Sequence, residues 1–180
     1  MTNDEATTAT ESAGPTESVG STESATANRE ILITRVIHAP RDRVFEAFTE
    51  VRHLSQWWGP HGFTTTTREF DFREGGVWDF VMHGPDGTKY PEWITWTAIA
   101  RPERIAMLHG ERRDDPEAFE SVLSFEADGD ATLVRMLTVF PTAALRDAAI
   151  ERHGAIEGGR QTLAELAAYV EASARSEEVR

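Results

Sequence analysis

Large apolar side chains fall on every second residue of VWDFVMH, residues 77–83. Trp78, Phe80 and Met82 share one parity, while Val77, Asp79, Val81 and His83 share the other. A period of two marks a strand that buries one face. REILITRVIHAP (29–40) reads the same way, with Ile31, Ile33 and Arg35 on one side and Leu32, Thr34 and Val36 on the other. FTTTTREFDF (63–72) is a strand by its β-branched and aromatic content. Glu74-Gly75-Gly76 turns it into 77–83, and Gly84-Pro85-Asp86-Gly87 turns that strand into 88–100. Strands over 104–109, 118–126 and 131–140 follow, the last two joined by Asp128-Gly129-Asp130. Sequential strands linked by turns predict an antiparallel sheet.

Helices are expected at three places. Pro40 opens the first, where its missing N–H does no harm, and Val44, Phe45, Ala47 and Phe48 form its apolar side. EVRHLSQWWGP (50–60) is a second, closed by Gly59-Pro60. From 142 onward, Leu145, Ala149, Ile156, Gly159, Leu163, Leu166 and Val170 form one helical stripe. A straight helix over 142–172 would be ~46 Å long at ~1.5 Å per residue. A domain of this size has a radius of gyration of only about 15 Å. The helix must cross the whole domain or bend at Gly154 or at Gly158-Gly159. The predicted class is α+β with element order β-α-α-β6-α.

Composition adds a boundary and some exclusions. The 180 residues carry a net charge of −13 and no cysteine. Nucleic acid is not an expected partner, because phosphate contacts want clustered Lys and Arg. Disulfides and thiolate metal sites are excluded, and a cytoplasmic setting fits. No apolar run is long enough for a membrane span. Residues 1–28 repeat a glutamate every sixth position, at 5, 11, 17 and 23, within Ser, Thr and Ala. Such a segment cannot bury enough apolar surface to offset its entropy, so a disordered acidic tail is expected before a domain over 29–175. Residues 176–180 are expected to fray.

Several segments together resemble the SRPBCC (START-like) superfamily, and within it the branch named for the activator of heat shock protein 90 ATPase. HAPRDRVFEAFTE resembles that branch's first strand-to-helix segment, HLSQWWGPHGF its tryptophan corner and FREGGVWDFVMHGPDGTKYP its hairpin. RPERI resembles a strand entry, and HGAIEGGRQTLAELAAYV the final helix. The resemblance implies a helix-grip fold, in which a curved antiparallel sheet wraps a long C-terminal helix around a hydrophobic cavity. It also implies a hydrophobic small molecule, lipid-like or polyketide-like, as the ligand. A chaperone partner is the alternative, and a cyclase or hydrolase using the same cavity is the second. The co-chaperones of the branch carry a further large N-terminal domain where this chain has 28 low-complexity residues, so the binder is the leading expectation.

On this reading the strands contribute Phe72, Trp78, Phe80, Met82 and Trp96 to the cavity. Ile156, Gly159 and Leu163 contribute from the helix, and Trp57 and Trp58 stand at its mouth. Gly159, in mid-stripe, either lets the helix approach the sheet closely or leaves space opposite the aromatic strand; the second is expected. Adjacent helical residues point about 100° apart, so Trp57 and Trp58 should divide between core and lid. Trp93 and Trp96 differ in parity and should divide likewise. The same aromatic strand face could simply fill the core. The six histidines show no metal-ligand spacing, so no metal is expected, and no phosphate-loop or dinucleotide motif calls for a cofactor. Asp79 and His83, four residues apart on a strand, lie about 13 Å apart and cannot form a dyad. Arg135 and Glu92 read as solvated strand residues, with a polar role in the cavity as the weaker alternative. No catalytic residue is assigned, and the oligomeric state is left open.

Overall fold

A computed structural model describes residues 25–178 of the chain. The tail expected over residues 1–28 therefore lies mostly outside the described residues, and Ala27–Arg29 form a single 3-10 turn. The alternating segments become β1 (Glu30–Ile37), β2 (Thr64–Phe70), β3 (Val77–His83), β4 (Lys89–Ala100), β5 (Arg104–Gly110), β6 (Phe119–Asp128) and β7 (Ala131–Val139). They make one antiparallel sheet in the order β1-β7-β6-β5-β4-β3-β2. The strands from β2 to β7 pair in chain order, and β1 closes onto β7. Helices α1 (Arg41–Glu46) and α2 (Val51–Trp57) fill the β1–β2 connection, while α3 (Ala143–His153) and α4 (Ala155–Glu178) end the chain. This is the α+β helix-grip arrangement.

Turn chemistry explains the β3–β4 hairpin without any appeal to function. Gly87 sits at φ 85°, and Asp86 accepts the Thr88 N–H at 3.0 Å and its hydroxyl at 2.9 Å. The C-terminal stripe divides at Gly154, one of the two expected bend sites. Gly154 takes φ 60°, and its N–H reaches the carbonyls of Ala149 and Ile150. That left-handed cap favours glycine. Thr142 caps the start of α3 by accepting the Leu145 N–H at 3.1 Å.

Register decides which side chains face inward. Trp78, Ile94, His109 and Phe119 stand in one cross-strand row, and Phe80 stands opposite Glu92. Trp78, Phe80, Ile94 and Trp96 are fully buried, so this is the face turned to the helices. On α4, Leu163, Leu166, Ala167 and Val170 are buried, as the stripe predicts.

The expectation of open space at Gly159 is corrected. A Cβ there would overlap Ile33 Cδ1 on β1 and press on Met136 Cε at 3.1 Å. Gly159 faces the β1–β7 half of the sheet, not β3, and its missing side chain serves close packing. Gly158 has only Pro60 Cγ near its missing side chain, at 3.6 Å.

Two predictions follow from this packing and from the loop before β6. Gly159→Ala should destabilise by about 1 kcal/mol, because overpacking outweighs the gain in helix propensity. Ile33→Val, which deletes the opposing methyl, should recover most of that loss in the double variant. Denaturant melts of the four proteins check it, and strictly additive changes would contradict the contact. In the loop, the N–H groups of Glu111 (2.8 Å) and Glu117 (3.0 Å) both donate to the Asp115 carboxylate. These bonds, Glu111's first, hold the Asp115 pKa below the ordinary carboxylate value. A depressed folded pKa stabilises above the unfolded value of ~4 and loses that contribution as pH falls through the folded one. The stability gap between wild type and Asp115→Asn should therefore be full near neutrality and shrink on acidification, as read by melts across pH.

Candidate functional site

The tryptophan pair at the end of α2 divides as helical geometry requires. Trp57 is 3% exposed and donates its indole N–H to the Ala47 carbonyl at 3.1 Å, in the core against Phe48. Trp58 has left the helix, with ψ 117°, and lies half-buried across the inner face of the sheet. Its ring meets Trp78 edge-on at 5.1 Å and Phe80 at 6.3 Å. Trp78 and Phe80 are themselves stacked, with centroids 3.8 Å apart and planes within 16°. Trp93 and Trp96 divide too. Trp96 is fully buried, whereas Trp93 faces outward under the Arg113 guanidinium at 4.8 Å.

The expected cavity residues are thus brought together unequally. Trp57, Trp58, Trp78 and Phe80 form one continuous aromatic group. Met82 lies at its edge, its Sδ 3.4 Å from where a Gly59 Cβ would stand. Phe72 packs on Trp96 at 5.0 Å and joins the group through Phe70. Leu163 is buried and Ile156 half-buried against the same core, while Gly159 stands apart on the β1 side. These rings fill the space beneath Trp58, whose indole covers the Trp78–Phe80 stack.

One polar pair lies beside this aromatic group. His109 Nε2 and Glu92 Oε2 are 2.7 Å apart, with side chains only 14% and 17% exposed. A carboxylate only accepts, so His109 Nε2 carries the shared hydrogen. Phe119 lies 4.8 Å from the imidazole, and Trp58 and Phe80 lie 6.3 and 6.4 Å away. Glu92 is therefore not the solvated residue it was expected to be. His109 belongs to no metal or catalytic motif, and its signal in the sequence is strand parity alone. Ile105, Met107 and His109 alternate in RIAMLHG, and Glu92 keeps step with Ile94 and Trp96.

The remaining polar candidates behave as surface groups. Asp79 pairs with Arg68 at 3.2 Å and His83 bonds the Thr66 hydroxyl at 2.9 Å, so they do not act together. Arg135 pairs with Glu126 at 2.8 Å, on the outer face. Among the described residues, no cluster of three or more His, Asp or Glu is placed to hold a metal ion. No described helix is long and apolar enough to cross a membrane. Two shallow hollows open elsewhere. One, of about 250 Å³, lies on the outer face beside Trp93, Leu108 and Arg113, and the other, of about 280 Å³, lies between α2 and α4 beside His53 and Tyr169.

Residues 38–171 match the model of a family described as Activator of Hsp90 ATPase homolog 1-like protein. Comparison with curated proteins gives no match. Among solved structures, a protein from Nitrosomonas europaea is similar at 22% identity and a TM-score of 0.74, covering 83% of this chain and 98% of its own. One from Mycobacterium smegmatis is similar at 25% identity and 0.73, covering 84% and 96%. An AHSA1 protein from Silicibacter pomeroyi is similar at 21% identity and 0.63, covering 80% and 99%.

Truncating each tryptophan should separate core from cover. Trp57→Ala should cost about 3–5 kcal/mol, the range for large buried aromatics. Trp58→Ala, at a half-buried position, should cost less than about 2 kcal/mol. Equal losses in denaturant melts would contradict the division.

Proposed function

The chain belongs to the family of Activator of Hsp90 ATPase homolog 1-like proteins, and on that premise we propose that it binds a hydrophobic small molecule, lipid-like or polyketide-like in character, in the recess under Trp58. The observation that carries this reading is the placement of Trp58. A large indole lies half-buried over a fully buried Trp78–Phe80 stack, on the inner face that the helices leave to side chains. Apolar clefts with a few convergent polar groups are the default sites for such ligands. Displacing Trp58 would expose flat aromatic surface on both sides of an incoming ligand.

A second reading is an interaction module acting on the ninety-kilodalton heat shock protein. The family's own description favours it.

A ligand that binds only the native state raises its melting temperature. N-phenyl-1-naphthylamine, a neutral apolar probe, should raise the melting temperature by a few degrees at saturating concentration, and Trp58→Ala should change its affinity severalfold. No shift and no bound probe would remove the binding reading. Stimulation of the host chaperone's ATPase at stoichiometric concentration, without any such shift, would favour the second.

A further inference from the structure

Buried polar pairs need a reason, because each polar group taken from water costs free energy unless it is bonded. His109 and Glu92 satisfy one another only in part. Glu92 takes the Nε2 hydrogen, which leaves Nδ1 as the ring's other hydrogen-bonding atom. Among the described residues, no protein group bonds to His109 Nδ1. The atom is also absent from the fully enclosed polar atoms without a partner, which are His53 Nε2, Thr65 Oγ1 and Trp96 Nε1. It therefore keeps contact with the exterior of the protein. The rings of Trp58, Phe80 and Phe119 stand around the imidazole, tilted to it by 49°, 39° and 49°.

Resting on the binding role proposed above, we infer that His109 is the polar anchor of the recess and selects a planar aromatic ligand carrying a neutral hydroxyl, a phenol or an enol. Three features fix that class. The side chains around the imidazole are aromatic rings, which favour flat ligands through offset and edge contacts. In the neutral imidazole, with Nε2 donating to Glu92, Nδ1 is the acceptor, and a ligand O–H is its complement. The Glu92 carboxylate beside the imidazole disfavours an anionic head group. Glu92 acts through His109 and is a positioning residue, since its bond to Nε2 fixes the ring's tautomer and orientation.

The test compares 2-naphthol with 2-methoxynaphthalene, which keeps the ring and lacks the hydroxyl hydrogen. Titrations use the full chain as wild type, His109→Phe and Glu92→Ala. The naphthol-to-ether affinity ratio should fall roughly tenfold in His109→Phe and in Glu92→Ala. A merely structural role for the pair would weaken both probes alike and leave the ratio unmoved, which would overturn the anchor. If either variant fails to fold, wild-type protein carrying ¹⁵N-labelled histidine decides. The His109 Nδ1 resonance should move on adding 2-naphthol and stay still with the ether, and equal responses would overturn the inference. Binding of both probes with an unmoved ratio would leave the hydrophobic binding role intact. Failure of both to bind wild type would remove that role and the anchor with it.

Discussion

The close approach of α4 to β1, at Gly159 and Ile33, sets the plan of the molecule. Of the strands, α4 packs on β1, and along its length it also meets α1, α2 and the segment after Trp58. With strands ~4.8 Å apart, the span from β1 to β3 is about 24 Å, more than twice the width of a helix. The β3–β5 half of the inner face must then be shielded by something else. The chain uses α2 and the residue that follows it, so Trp58 lies where a helix would otherwise lie.

Most of the fold was legible in residue order, because period two, period 3.6 and turn residues are local signals. The split at Gly154 was open between two sites, and only the capping geometry decided it. The division of Trp57 from Trp58 and of Trp93 from Trp96 followed from geometry alone. Gly159 was different. A glycine in a helix stripe says that a side chain is unwelcome, and it does not say which strand excludes it. That depends on how far α4 is displaced along the sheet, a tertiary quantity with no local signature.

His109 and Glu92 show the complementary limit. Each has the parity of buried neighbours, so each could have been placed on the inner face from its own strand. Their meeting could not be read, because it depends on the β4–β5 register and its irregularity between Trp96 and Ala98. Charged and polar residues on strands are usually solvated, and that general rule outweighed the local pattern. A carboxylate and an imidazole each costly to bury alone become tolerable together, which is why the two departures occur side by side.

Trp58 is also held in a particular way. Behind it Trp57 is locked in the core, and ahead of it Gly59 is buried, with Phe63 Cβ 3.2 Å and Met82 Sδ 3.4 Å from where a Cβ would stand. Pro60 fixes the next φ. The backbone on both sides is therefore pinned, and the freedom left to the cover lies in its own χ angles. Motion of the Trp58 ring is then rotamer exchange in a single side chain, with its own rate and its own barrier. Such a turn needs no swing of a chain segment, and it takes place on the timescale of one side chain moving against its neighbours.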